Sequence, residues 1–261
     1  GGIPSARVLA LVVLCAVAAR TAAMAFNRWL DRDLDRANPR TRGRELPSGV
    51  LRPDHVLALV VASSLVFIVG AFALNTLSGW LSFPVLGVLL SYSAVKRFHW
   101  LAHGVLGLSL ALAPLGAWLA VTGSLEGDLR VPLALAAAVL LWVAGFDLIY
   151  SCQDAEHDRK SRLHSIPARF GVARALQLSS LLHLFTVLLL VLVARSAHLS
   201  WIFYAVVAVA SVLLVVQHRI VRPGDLSRVN VAFFTLNGWV SVVLFLGTAL
   251  DLAVHSPGGP L

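Results

Sequence analysis

Eight long apolar runs leave this chain one kind of fold. They cover about 6–26, 55–74, 78–96, 100–121, 131–151, 174–194, 199–219 and 230–252. A helix that crosses a bilayer needs roughly 20 mostly apolar residues, and each run meets that length. Lipid offers no partner for backbone N–H and C=O groups, so a spanning segment must satisfy them within itself, as an α-helix does. Only 13% of the residues are charged, where a soluble domain carries about 25%. The runs therefore predict an all-α, multi-span transmembrane helix bundle, a single integral-membrane domain over 1–261. Arg20 interrupts the first run, and either snorkels to the surface or faces a polar interior.

The connections sort by charge. If every run spans, the segments 27–54, 96–99, 152–173 and 220–229 share one side. With the adjoining helix ends, that side holds 17 of the 21 Lys and Arg residues. Arg7, Arg130 and Arg195 lie opposite. This bias predicts that the basic side is cytoplasmic; the expected location is the inner membrane of a bacterium. The net charge of +8 is spread along membrane-flanking loops, and no nucleic-acid partner is expected. Cys15 and Cys152 form no metal or redox motif. The chain begins Gly-Gly-Ile-Pro, without a signal peptide, and its true start is expected to be missing.

Two acidic clusters stand at ends of these runs. The first is NRWLDRDLD, residues 27–35. Asn27, Asp31 and Asp35 are four residues apart, which stacks them on one helical face. The second is DLIYSCQDAEHD, residues 147–158. Asp147, Asp154 and Asp158 are spaced by seven and then four, again one face of a helix. Four runs separate the clusters, so both face the same compartment and are expected to meet across a cavity. Magnesium takes a few carboxylates, water and phosphate oxygens, and the clusters suit Mg2+ and, through it, a diphosphate. Asp33 and Glu156 fall off these faces and are expected to be surface charge. Arg40, Arg42 and Arg44 follow the first cluster, and Lys96 and Arg97 end the third run. All five are candidate phosphate partners, because guanidinium and ammonium groups suit phosphate oxygens.

A diphosphate attached to an allylic carbon leaves behind a delocalised cation. Apolar helices would exclude water from it, and aromatic rings would stabilise it. Trp29, Tyr92 and Tyr150 are near the clusters; Trp29 is expected to be an interfacial packing residue. Tyr150 lies between Asp147 and Asp154 on their face. Of the nine histidines, His157 and His164 lie near the second cluster, and the others read as packing or interface residues. The order helix, acids, basic loop, turn, helix occurs at 6–74 and again at 131–194, as in a duplication.

These motifs resemble those of the UbiA superfamily of membrane prenyltransferases. NRWLDRDLD with NPRTRGRELPSG is similar to the first signature, DLIYSCQDAEHD to the second, and SYSAVKRF to the Tyr-x-x-x-Lys-Arg element. The resemblance implies nine membrane helices around a central cavity. It also implies Mg2+-dependent transfer of a polyprenyl chain from polyprenyl diphosphate to an acceptor, often an aromatic ring. By position, Asp31, Asp35, Asp154 and Asp158 would bind metal, and Asn27 would join them in holding the Mg2+–diphosphate. Lys96 and the arginines at 40, 42 and 44 would touch phosphate, with Arg97 beside them. Asp147 and Tyr150 would lie near the acceptor.

Two departures stand out. Eight runs are found, so a counterpart of the family's first helix is expected to be absent, leaving the cavity less closed. Glu45 replaces the usual Pro. RELPSG with CQDAEHDRKSRLHSIPARFG looks like the 4-hydroxybenzoate polyprenyltransferase branch. The acceptor is then an aromatic acid, 4-hydroxybenzoate or 1,4-dihydroxy-6-naphthoate, in ubiquinone or menaquinone synthesis. Haem, chlorophyll and archaeal-lipid acceptors are rivals. An ion-coupled transporter is the alternative from another class, but transporters place their acids near the bilayer midplane.

Overall fold

The computed structural model describes residues 4–255. Eight of its helices are long and apolar enough to cross a membrane, one for each apolar run. Large apolar side chains such as Val13, Val61, Phe245 and Val212 are exposed. In water such a surface would aggregate; against lipid tails it is the expected outer face.

Residues divide into two compact units: up to Phe98 with Leu112–Gly127, and His99–Ala111 with Asp128 onward.

In the first unit, α1 (Ala6–Ala37) starts at Ser5, whose hydroxyl accepts from the Val8 amide, and stops at Asn38, which is extended. Pro39 follows and cannot continue the helix. At 1.5 Å per residue, α1 is about 48 Å long, well beyond the ~30 Å hydrocarbon layer. The surplus carries residues 27–35 out of lipid while keeping them helical. α2 (Pro53–Leu74) begins with Pro at its first position, where the missing N–H costs nothing. A single extended residue, Asn75, then reverses the chain into α3 (Thr76–Val95). Its side chain accepts from the Ser78 amide at 2.8 Å and donates to the Leu119 carbonyl at 3.0 Å. α1 meets its neighbours through small residues. A side chain at Gly70 on α2 would come 2.8 Å from the Cys15 sulfur. Ala25 packs with Leu46, Val56 and Val60, and Ala23 with Leu86 and Leu89.

α4 (Ala102–Thr122) begins in the second unit and ends in the first. The second unit continues with α5 (Arg130–Ser151), a 3₁₀ turn (Cys152–Asp154), α6 (Ala155–Lys160) and α7 (Ile166–Phe170). It ends with α8 (Val172–Ser196), α9 (Trp201–Ile220), a π-helical turn (Val231–Leu236) and α10 (Asn237–His255). α5 packs along α8, where the Ser179 hydroxyl donates to the Gly145 carbonyl at 2.6 Å. Leu148, Ile149, Cys152, Ile166, Ala175 and Val229 close the core beneath the second acidic cluster. α9 and α10 run antiparallel. Buried Asp251, late in α10, accepts from the Ser200 backbone and hydroxyl just before α9. The packed pairs α1–α2 and α5–α8 fall in the two segments, 6–74 and 131–194, that show the same order of features in the sequence.

Candidate active site

Asn27, Asp31 and Asp35 stack on one face of α1, as their spacing requires, and both carboxylates are buried. Asp31 is the hub. Its Oδ2 lies 2.6 Å from Lys96 Nζ and accepts from Asn27 Nδ2 at 3.3 Å; its Oδ1 accepts from Arg97 Nη2 at 3.0 Å. Arg97 also donates to the Leu30 carbonyl at 2.8 Å. Asp31 is 4% exposed, while Lys96 and Arg97 are about one third exposed. The acid is fixed and its cations can reach outward. Lys96 and Arg97 sit where α3 ends, so the end of α3 delivers both charges onto α1.

Asp35 is held from its own loop. Arg44 Nη1 donates to both of its carboxylate oxygens, at 2.8 and 2.9 Å. The loop folds back because Asn38 and Thr41 bind it. Asn38 Oδ1 accepts from the Arg40 amide at 3.0 Å, and the Thr41 hydroxyl donates to the Asp35 carbonyl at 3.0 Å. Leu46 then anchors the turn in the core. Arg40 and Arg42 stand on the exposed rim of this loop. Asp33 is exposed and off the shared face, beside Arg32 and Arg36. Trp29 stacks on Phe26 and is covered by Arg32, which makes it a packing residue.

In the second unit, Asp147, Asp154 and Asp158 do not share one unbroken face. The 3₁₀ turn at 152–154 intervenes, and its tighter winding rotates the residues beyond it by about 60° relative to a continuous α-helix. Asp154 opens α6 and Asp158 lies within it, both half-buried. Glu156 points away and pairs with Lys160 at 2.6 Å. His157 meets the Ser161 hydroxyl at 3.3 Å, and His164 is exposed.

Sequence alone misses two contributors. His103 reads as a packing histidine, yet its Nδ1 lies 2.7 Å from Asp147 Oδ2. The π-helical turn supplies Phe233 and Phe234. Tyr150 lies 4.1 Å from the Phe233 ring and 6.0 Å from Phe234, and Phe146 meets Phe233 edge-on at 5.3 Å. Asn237 holds this turn. It donates to the Phe233 carbonyl at 3.0 Å and accepts from the Trp142 indole at 3.1 Å. A Phe-Phe pair shortly before an Asn inside an apolar run is the signal that could have found it.

Among the described residues, no three His, Cys, Asp or Glu side chains gather around one point. The donors still suit a hard cation. Asn27, Asp31 and Asp35 offer only oxygen, since Asn27 turns its Nδ2 to Asp31 and keeps its amide oxygen. Magnesium needs only one or two protein carboxylates when substrate phosphates complete its shell.

Fold and acids together define a class: a helical membrane protein with buried acids paired to basic side chains near helix ends. The UbiA prenyltransferase family matches residues 1–239. A 4-hydroxybenzoate octaprenyltransferase of Marinobacter nauticus is 33% identical over 97% of this chain and 84% of that protein. The apo structure of a UbiA homolog from Aeropyrum pernix K1 is 34% identical with a TM-score of 0.87, covering 96% of this chain and 91% of that one. A UbiA homolog from Archaeoglobus fulgidus, solved bound to GPP and Mg2+, is 21% identical with a TM-score of 0.70, covering 95% and 88%; it shares the fold. The chain belongs to the UbiA prenyltransferase family and is an integral-membrane prenyltransferase.

Proposed function

We propose that this protein transfers a polyprenyl chain from polyprenyl diphosphate to the ring of an aromatic acid, 4-hydroxybenzoate or 1,4-dihydroxy-6-naphthoate. The observation that carries the reading is Asp31: a buried oxygen donor at a helix end, gripped by two cations that reach solvent. Relatives named 4-hydroxybenzoate octaprenyltransferase support the acceptor class. The residues that would hold divalent ions are Asn27, Asp31 and Asp35 in the first unit and Asp154 and Asp158 in the second. When bound, such an ion neutralises the diphosphate and improves it as a leaving group.

The chain's own groups do the rest. Lys96, Arg97 and Arg44 turn from carboxylate to phosphate oxygens as the diphosphate enters, with Arg40 and Arg42 on the rim. Tyr150, Phe233 and Phe234 present ring faces to the developing allylic cation. Asp147 lies by the acceptor. Arg20 stands seven residues before Asn27 on the same face of α1 and is exposed. A cation inside a spanning segment marks a functional contact, and the acceptor carboxylate is its natural partner. The distribution of Lys and Arg supports a site open to the cytoplasm.

The test uses the full chain in lipid with labelled polyprenyl diphosphate, each aromatic acid in turn, and Mg2+ or chelator. A prenylated aromatic acid that forms only with metal is expected; no product with any aromatic acid overturns the reading. Arg20→Leu should raise KM for the acid about 10- to 100-fold, the worth of a charged hydrogen bond, and leave KM for the diphosphate unchanged.

A further inference from the structure

His103 is the second residue of α4, and its ring reaches α5. The reach depends on Gly107, one turn further along the same face. A side chain there would collide with the Leu140 carbonyl oxygen and come 3.4 Å from Ala144. With 103 opposite 147 and 107 opposite 140 and 144, the start of α4 packs antiparallel to α5 at close range. That close approach brings His103 Nδ1 to 2.7 Å from Asp147 Oδ2.

The two side chains differ in access. Asp147 is 21% exposed and His103 only 6%. The carboxylate can be reached from outside the protein; the imidazole stands behind it. The ring makes this one polar contact: Nε2 is buried and has no partner among the described residues. A leucine would fill the same space without leaving a nitrogen unpaired, a cost of about 1–3 kcal/mol. The histidine is therefore placed for what it does to Asp147.

We propose that His103 is a positioning residue for prenyl transfer, holding Asp147 so that its free oxygen takes the proton released by the acceptor ring. The proposal rests on the aromatic-acceptor reading above. The allylic C–O bond breaks and the diphosphate leaves with the bonding pair. A ring carbon bonds to the allylic carbon with a π pair, and the ring becomes cationic. The C–H pair at that carbon then restores aromaticity, and the proton passes to Asp147 Oδ1. With its proton on Nδ1, the His103 ring donates to Oδ2 across the 2.7 Å contact. It fixes the carboxylate rotamer and steadies the negative charge until the proton arrives. Without it the carboxylate turns freely, and proton removal becomes the slow step.

The experiment compares wild type, His103→Leu, His103→Asn, His103→Gln and Asp147→Asn. The acceptor is 4-hydroxybenzoate or 1,4-dihydroxy-6-naphthoate, whichever wild type prenylates, with hydrogen or deuterium at the ring position attacked. Asn carries an N–H where Nδ1–H stood; Gln carries one nearer the Nε2 position, away from Asp147. Leu and Gln should lower kcat by about 100-fold, the low end of general-base effects, and keep KM for the prenyl diphosphate. Both should show a primary isotope effect absent from wild type, and Asn should restore most of kcat and suppress that effect. Gln carries the comparison where Leu does not fold. A Gln variant with wild-type kcat and isotope effect, or an Asn variant no better than Gln, overturns the proposal while the aromatic-acceptor reading stands. A wild-type isotope effect and rate in Asp147→Asn removes the base and this proposal with it. Failure of wild type to prenylate either acid overturns the acceptor reading first.

Discussion

Lys96→Met asks whether a lysine and a metal compete for the same oxygen. Met keeps the length of the side chain and removes its charge. In the structure Lys96 Nζ lies 2.6 Å from Asp31 Oδ2. A hydrogen bond to a charged group contributes about 1.5–3 kcal/mol, and a fully exposed ion pair about 0–1. With Asp31 buried and Lys96 one third exposed, the pair falls between, at about 1–2 kcal/mol. At 1.4 kcal/mol per factor of ten, that is about 5- to 30-fold. Asp31 keeps Arg97 and Asn27 as partners, so the variant leaves no orphaned buried charge and should fold normally. A divalent ion binding Asp31 in the absence of diphosphate must displace Lys96, so Lys96→Met should bind the ion about 5- to 30-fold more tightly. The prenyl diphosphate should bind more weakly by a similar factor, because the same lysine no longer reaches phosphate. The assay is the free Mn2+ signal in electron paramagnetic resonance, titrated on purified protein with and without a non-cleavable prenyl diphosphate analogue. Unchanged or weaker metal binding without the analogue would refute the exchange of Lys96 from carboxylate to phosphate.

Gly107→Ala should lower the thermal midpoint, because the new methyl meets a backbone oxygen that cannot move aside; overpacking of this kind costs about 1–3 kcal/mol. Gly104→Ala, with nothing within 4 Å, is the control and should not lower it. A Gly107→Ala midpoint equal to the control's would show that α4 is free to retreat from α5. For orientation, cysteines placed at Glu126 and Lys160, at opposite ends of the α5 segment, should react with an impermeant maleimide from opposite faces. Lys160→Cys should label only from the cytoplasmic face, and labelling from outside would reverse the assignment.

Hydropathy finds all eight spans because burial in lipid writes itself into every residue of a run. It places the end of the first run at 26, while the helix continues to Ala37. Hydropathy reports where lipid ends, and the helix ends where Pro39 removes a donor. The Asn27, Asp31 and Asp35 face is legible because α1 is regular across it. The second cluster is less so: its period-of-four reading assumes one helix, and the 3₁₀ turn at 152–154 breaks the count. No residue type at 152–154 announces that turn. The pairing of His103 with Asp147 joins residues 44 apart, set by how closely two helices pack. A histidine beside an apolar run looks the same locally whether it packs or holds an acid. Lys96 and Arg97 are expected at phosphate, and geometry adds that they hold Asp31 first.

The π-helical turn at 231–236 carries about one more residue per turn than the α-helix that follows it. Insertion of a single codon is the simplest origin for such a turn, and deletion of one would erase it. Every residue after the deletion would then swing by about 100° around the helix axis. Asn237 would leave the Trp142 indole, Val240 its place against Ala210 and Leu214, and Asp251 the Ser200 cap. The whole register of α10, from its first turn to its last, thus hangs on one surplus residue. In this segment a length change of one should be tolerated far less readily than substitution.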